Sequence, residues 1–348
     1  MSIPAEARQY VLPKFDGINN LTVRQAPVPK PGKGEVLVKV HAVSLNYRDL
    51  MIASGKYGLP SPENVIPCSD MAGEIVAVGE GSRSEHWKVG DRVCANFTQD
   101  HLHGDLTPEI QRTALGGSLD GCLAEYRTFP SYSLVKVPDN LSYEEASTLP
   151  CAAVTAWNAL QGPKPVKAGD YVLVQGTGGV SIFALQFAVA SGAIVIATSS
   201  SDEKLEIAKK LGAHHLINYK TTPDWDKEVL KITGGEGVHD IVEVGGPGTL
   251  DKSLNCVRMA GWIHVIGFLA GTDADMSGVP MKTLFKACML RGVLIGSRTQ
   301  FEDMNRLISG RKLKPVVDKV FSFDEAQAAY EYLESQKHVG KVVIKVAQ

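Results

Sequence analysis

LVQGTGGVSIFALQFA, residues 173–188, starts as an apolar strand, passes through three glycines and continues as an apolar helix. The first glycine, Gly176, permits a tight turn out of the strand, and the missing side chain at Gly178 leaves room for an anion to reach the backbone. Gly179 adds slack, and Val180 opens the helix, whose first N–H groups point their positive end back at the corner. Ser181 stands where a third spaced glycine is expected; that position needs only a small residue for close helix–strand packing. Outward from the corner the chain alternates. YVLVQG (171–176), AIVIATS (193–199), HLINY (215–219), DIVEVGG (240–246), WIHVIG (262–267) and GVLIGS (292–297) read as short apolar strands, with helix patterns near 180–191, 202–211, 224–233 and 249–258 between them. Six such strands form a doubly wound parallel sheet of α/β class.

A glycine corner after the first strand of this alternation is a dinucleotide-binding signature, with Gly176, Gly178, Gly179 and Val180 around the pyrophosphate. The end of the second strand chooses the dinucleotide. An acidic residue there would accept hydrogen bonds from a ribose 2′-hydroxyl and repel a 2′-phosphate. Here the strand ends Thr198-Ser199-Ser200-Ser201, with Lys204 one turn into the helix, a set of donors suited to phosphate. Asp202 could be the acid, but it also fits as first-turn charge on a helix capped by Ser201. Tyr219, after the third strand, is placed to contact the same phosphate. NADP(H) is the expected cofactor.

The rest of the chain has a different texture. EVLVKVHAVSL (35–45), AGEIVAVGEG (72–81), DRVCANF (91–97) and SLVKVP (133–138) are short strands broken by turns, as in a β-rich barrel or sandwich. Near the end, SFDEAQAAYEYLES carries Ser322 and Glu325 at capping-box spacing and an apolar face of Phe323, Ala326, Tyr330 and Leu333. The strand GKVVIKV follows, and the β-rich body is the only one available for it to join.

With 348 residues and 44% hydrophobic content the chain can bury two domains. A net charge of −2 leaves no basic footprint for nucleic acid and no polybasic membrane patch, so a small-molecule partner is favoured. The first fifteen residues lack the pattern of a secretory or transit leader, and a cytoplasmic location is expected. Six cysteines without CxxC spacing read as reduced thiols.

The chain resembles the medium-chain dehydrogenase/reductase superfamily over nearly its whole length, in particular the zinc-independent, quinone-oxidoreductase-like branch with its zinc-type alcohol dehydrogenase-like proteins. The resemblance rests on NYRDLMIASGKYG (46–58), CSDMAGEIVAVGEG (68–81), GGSLDGCLAEY (116–126), TLPCAAVTAWNAL (148–160), VLVQGTGGVS (172–181), TSSSDEK (198–204), DIVEVGGPGTL (240–250), VIGFLAG (265–271) and HVGKVVI (338–344). It implies a Rossmann NADP-binding domain over 151–298 and a GroES-like catalytic domain over 1–150 and 299–348, paired as a homodimer through the sheet edge near 290–297. Asn46, Tyr57 and Thr155 would stand around the nicotinamide and substrate, with Gly267, Phe268, Leu269, Ser297 and Arg298 lining the nicotinamide end.

The family's zinc enzymes bind their catalytic metal through a Cys, His, Cys set with an acidic neighbour. Here the corresponding stretches read Asn46-Tyr47-Arg48-Asp49 and Cys68-Ser69-Asp70, so only Cys151 matches a ligand, and the cysteines of the structural lobe are missing. A catalytic zinc needs three protein ligands, and no metal is expected. His101 and His103 read as a solvated loop, and Arg48 with Asp49 as a structural ion pair. Amide and hydroxyl donors can hold a carbonyl oxygen while charge develops on it; Tyr57 could equally be structural, and solvent could be the proton donor. The expected reaction is reduction of the C=C bond of an enone, enal or quinone. Ketone or aldehyde reduction, alcohol oxidation, redox-neutral use of the cofactor, and cofactor binding without reductase chemistry are the alternatives.

Overall fold

The computed structural model describes residues 3–58, 60–81, 86–271 and 273–347. They fall into two compact units, Met1–Val154 with Gly296–Gln348, and Thr155–Ile295. In chain order the first unit begins with β1 (Glu6–Val11), β2 (Thr22–Pro27), β3 (Glu35–Ser44), α1 (Tyr47–Ala53), β4 (Asp70–Val78), β5 (Arg92–Ala95), α2 (Pro108–Gln111), β6 (Tyr126–Pro130), β7 (Leu134–Lys136) and α3 (Tyr143–Ser147). Next come α4 (Val154–Gln161), then β8 (Tyr171–Gln175), α5 (Gly179–Ala190), β9 (Ile194–Ser199), α6 (Asp202–Lys210), β10 (His215–Asn218), α7 (Trp225–Ile232), β11 (Val238–Glu243), α8 (Pro247–Cys256), β12 (Val257–Val265), α9 (Val279–Lys286) and β13 (Met289–Gly292). The chain ends with α10 (Arg298–Arg311), β14 (Val317–Ser322), α11 (Ala326–Glu334) and β15 (Lys341–Lys345).

In the second unit the six strands lie in the order β10-β9-β8-β11-β12-β13, and every neighbouring pair is parallel. The chain starts at β8 in the middle, builds outward to β10, and returns to lay β11 on the other side of β8. That reversal opens a crevice at the carboxyl ends of β8 and β11, where folds of this kind bind nucleotides. Helix α5 buries Ile182, Phe183, Leu185 and Phe187, as a helix apolar on all sides must. The last strand lies at 289–292 rather than at 292–297: the ladder closes with Val293 N–H on Val265 O, and Ile295, at φ +52°, turns the chain out of extended conformation.

In the first unit β14, β15, β3, β4, β5 and β7 form one mixed sheet with β6 also on β3, and β1 pairs with β2. The closing strand does join the β-rich body, with Val343 opposite Ser44 in the antiparallel β15–β3 pair. Ser322 and Glu325 form their capping box at the turn before α11, whose Ala326, Ala329, Tyr330 and Leu333 are buried. The core is Val36, Val38, Val40, Met71, Ile75, Phe129 and Tyr330 with their neighbours, each large apolar side chain contributing about 1.5–3 kcal/mol on burial. No described helix is long and apolar enough to cross a membrane.

One buried carboxylate holds the ends of the central parallel strands together. Glu243, the last residue of β11, is fully buried and accepts from Gln175 Nε2 (2.7 Å), Gly245 N and Gly246 N (2.9 Å each), Thr249 Oγ1 (2.5 Å) and the Ser253 hydroxyl. Glu243→Ala should strand these donors in the interior and lower stability by at least ~3 kcal/mol, since each unsatisfied group costs about 1–3 kcal/mol. Denaturant unfolding monitored by circular dichroism checks this; a loss below about 1 kcal/mol would show that the network is dispensable.

Candidate functional site

The dinucleotide-site residues proposed within the second unit lie at or just beyond the carboxyl ends of parallel strands: Ser199 ends β9, Gly179 and Val180 open α5, and Lys204 lies in the first turn of α6. Gly176 leaves β8 at φ +71°, a conformation that favours glycine, and a side chain added at Gly176 or Gly178 would meet only open space. Helix α5 begins at Gly179 with no side-chain cap on its N-terminus, which leaves backbone N–H groups for a phosphate. Ser181 is compatible with this corner because its hydroxyl turns inward and donates to Gln175 O at 2.6 Å. The residues therefore fit a dinucleotide pyrophosphate.

Beyond β9, Ser199 is buried and Ser200 half-buried, and Ser201 accepts from Lys204 N at 3.3 Å as the cap of α6. Asp202 accepts from Asn218 Nδ2 at 2.7 Å, so this carboxylate is tied to the end of β10. Tyr219 is 42% exposed. At the ends of β11 and β12 the backbones nearly touch: a Cβ on Gly246, at φ +75°, would lie 2.7 Å from Phe268 Cα, and one on Gly267 would lie 2.7 Å from Val244 O. Phe268 and Leu269 present exposed side chains beside that crossing. Thr155 is buried at the start of α4.

The first unit gathers a second set. Asn46 caps α1; its N–H donates to Asp49 Oδ2 at 2.8 Å, and its side-chain oxygen accepts from the Lys341 ammonium of β15. Lys341 is 3% exposed and also donates to Leu45 O at 2.6 Å. The Asn46 amide nitrogen is buried with no hydrogen-bond partner of normal geometry, although the side chain stands close enough to Asp70 to help keep that carboxylate ionised. Asp70, at the start of β4, accepts from Ser69 Oγ (2.6 Å) and from Cys151 N (3.2 Å), the latter in a π-helical turn, Leu149–Ala153. Burial raises the Asp70 pKa, opposed by the Lys341 charge. Burial also pushes Asp49 up to about 6, against the Asn46 N–H and the charge of Arg48.

Around this cluster the backbone is tight. Cys68 sits at φ +67°, and a side chain on Gly121 would collide with its carbonyl, which accounts for the small residues in GGSLDG. The Arg48 guanidinium lies 4.9 Å from the Tyr57 ring centroid and 4.7 Å from that of Phe97, and Nη1 donates to Leu115 O at 2.7 Å. The expected Arg48–Asp49 ion pair is thus replaced by a cation between two rings. His101 is a second correction: it is 5% exposed, with Nε2 3.0 Å from Gly104 O, and is not solvated. Ser297 and Arg298 belong to the first unit; Ser297 caps α10, and Arg298 donates to Tyr132 O at 2.7 Å and pairs with Glu302.

Residues at the family's metal positions do not fit a metal. The Asn46 oxygen is taken by an ammonium, Asp70 has both oxygens engaged, and burial drives the Cys151 thiol well above its ordinary pKa. A divalent cation would have to enter beside Lys341. Among the described residues no group of three His, Cys, Asp or Glu is arranged to hold one. Lys341 itself was not singled out from the sequence: in GKVVIKV it looks like an ordinary strand-end lysine, and only the fold brings it to Asn46.

A parallel-sheet unit fitted for a dinucleotide and a β-rich unit with a buried polar cluster define a two-domain oxidoreductase. The family model described as zinc-binding dehydrogenase matches residues 179–310, and that described as alcohol dehydrogenase GroES-like domain matches residues 32–139. A zinc-type alcohol dehydrogenase-like protein of Schizosaccharomyces pombe is 50% identical over 97% of this chain and 99% of its own length. Acryloyl-coenzyme A reductase of Metallosphaera sedula is 31% identical over 92% of this chain and 95% of its own. The crystal structure of an NAD-dependent alcohol dehydrogenase, 31% identical, superposes with a TM-score of 0.87 over 98% of this chain and 100% of the other. The chain belongs to the medium-chain dehydrogenase/reductase superfamily and is an oxidoreductase with a Rossmann unit and a GroES-like unit.

The elevated Asp49 pKa gives a signed expectation. Between the unfolded value near 3.8 and the folded value of about 6, the folded chain holds the extra proton, so the contribution of Asp49 to stability falls as pH rises through this window and is flat above it. The change is on the order of 3 kcal/mol. Urea midpoints at several pH values from 4 to 7.5 should show wild type losing stability relative to Asp49→Asn up to pH ~6; a constant difference would mean that Asp49 titrates normally.

Proposed function

We propose that this protein is a zinc-independent, NADPH-dependent reductase of α,β-unsaturated carbonyl compounds or quinones, of the quinone-oxidoreductase-like branch. The observation that carries this reading is the buried Asn46 amide, whose oxygen is held by Lys341 and whose nitrogen, beside Asp70, makes no hydrogen bond of normal geometry. NADPH, when bound, supplies a hydride. Conjugation would let a hydride add to carbon while negative charge moves to an oxygen, a proton from solvent would then complete the saturated product, and a positioned N–H would stabilise the charge without a Lewis acid. Asn46 is the group assigned to that oxygen. Tyr57, stacked on Arg48, and Thr155 are assigned to the substrate's surroundings. Gly267, Phe268, Leu269, Ser297 and Arg298 are assigned to the nicotinamide end.

Support for C=C reduction also comes from the relative named acryloyl-coenzyme A reductase, whose substrate name is that of a conjugated carbonyl compound. For the 2′-phosphate, Ser199, Ser200, Lys204 and Tyr219 are the proposed contacts, with Asp202 held by Asn218. Homodimer pairing is assigned to the sheet edge near 290–297; β13 is an edge strand of the sheet, and Leu294 just beyond it is 57% exposed.

NADPH oxidation followed at 340 nm with 2-cyclohexen-1-one, menadione and cyclohexanone, with and without a chelator, tests the reaction. Turnover of the first two, unaffected by chelator, and little of the third is expected. Asn46→Ala should lower kcat by about 10²–10³, the usual effect of losing one oxyanion donor. Chelator-sensitive turnover, or cyclohexanone reduced as fast as the enone, would overturn the reading. Separately, Lys204→Ala should weaken NADPH binding by about tenfold, roughly one charge-assisted contact, and leave NADH nearly unchanged in fluorescence titration. Equal binding of both dinucleotides by wild type would remove the NADP assignment.

A further inference from the structure

We propose that Lys341 is the positioning residue that fixes which end of the Asn46 carboxamide is available and strengthens it as a donor. An ammonium has donors only, so it can engage the amide through oxygen alone. With Oδ1 held by Lys341 Nζ, the amide cannot reverse without placing an NH2 group against a cation, and Nδ2 is the end left over. The lysine is in turn fixed by its bond to Leu45 O, one residue before Asn46, and by burial at the first position of β15. A positive charge on the amide oxygen draws electron density from nitrogen and makes the N–H a better donor to an oxygen gaining charge.

The competitor for Nδ2 is the Asp70 carboxylate. Its Oδ1 is taken by Ser69 and its Oδ2 by Cys151 N, and the Asn46 side chain reaches it as a further contact that favours the anion without meeting normal hydrogen-bond geometry. An amide NH2 has two donors, so with one N–H toward Asp70 the second is the one that an acceptor from outside the chain would complete. In this arrangement Lys341 acts on the reaction only through Asn46. The acceptor is assigned as the carbonyl oxygen of a conjugated enone, so this inference rests on the function proposed above.

Two readouts separate the inference from that reading. Neutron crystal structures of wild type and Lys341→Met, which tell amide nitrogen from oxygen, report the orientation: wild type should show Oδ1 on Lys341 Nζ, and the variant should show the Asn46 side chain rotated away from that position. An unchanged amide would overturn the inference whatever the substrate. In kinetics with 2-cyclohexen-1-one, Lys341→Met should lower kcat by about 10- to 100-fold, the range for a group that orients a reacting residue, with NADPH affinity unchanged. Lys341→Arg should recover most of the rate. Adding Lys341→Met to Asn46→Ala should cost little more, because both changes remove one unit. Wild-type rates in Lys341→Met, or multiplicative effects in the double variant, would refute the positioning role. If Lys341→Met does not fold, Lys341→Gln keeps an N–H for Oδ1 without the charge, and its kcat should fall severalfold with the amide orientation retained. If Asn46→Ala has no effect, or no conjugated carbonyl is turned over, the proposed function fails, while the crystal structures still decide the orientation.

Discussion

A carboxylate can be buried away from cations only if enough N–H and O–H groups converge on it, and the nucleotide-binding unit is built around such a convergence. Glu243 ends β11, Gln175 ends β8, and between these strands the sheet reverses its direction of growth. The shared hydrogen bonds fix the backbone from which Gly176 departs and fold Gly245 and Gly246 back over the end of β11. That fold-back is what lets Gly246 and Phe268 approach so closely. The same oxygens that satisfy five donors thus define two of the loops assigned to the cofactor, so loop geometry here is a consequence of a core interaction.

The β-rich unit solves a related problem with charges of both signs. Asp49, Asp70 and Lys341 are all buried, and Arg48 is wedged between two rings beside them. Burial favours the neutral acid, whereas the lysine and the backbone N–H groups favour the anion, and the two carboxylates are left in different places on that balance. Asp70 has Ser69 and Cys151 on its oxygens; Asp49 has one oxygen on Asn46 N–H and the other, Oδ1, without a partner, a natural place for a proton. Left-handed backbone at a non-glycine residue costs of order 1–3 kcal/mol, and Cys68 adopts it two residues before Asp70. The tight crossing with Gly116 and Gly121 is what holds it there.

Much of the architecture was legible because it is local. Strand–glycine–helix, a second strand ending in serines, and a capping box before an amphipathic helix are patterns within a dozen residues, and the parallel sheet follows from their repetition. The sixth strand begins three residues before GVLIGS, which is more apolar than MLRG, and the left-handed turn at Ile295 leaves no trace in composition. His101 looked solvated among polar neighbours, yet its surroundings are set by residues far along the chain, such as Arg298, whose N–H donates to the His101 carbonyl. Lys341 lies 295 residues from Asn46, and no periodicity or spacing rule spans that distance.

That last contact explains why a family named for zinc can include a chain whose residues do not suit the metal. A metal site and an ammonium site ask for the same thing from the fold, a place where carbonyl and carboxylate oxygens converge in a dry interior. Exchanging ligand side chains for an amide and a serine removes the donors that prefer zinc but leaves the convergence, and a lysine on the closing strand supplies the balancing charge. The charge is then covalently attached to the chain, with two of its three N–H donors held by Leu45 O and Asn46 Oδ1. Of these two neighbours, Asn46 is the one with a side-chain donor of its own to pass the polarisation on. On the function proposed above, a hydrogen bond from that donor is what would meet the charge developing on the oxygen of a conjugated carbonyl.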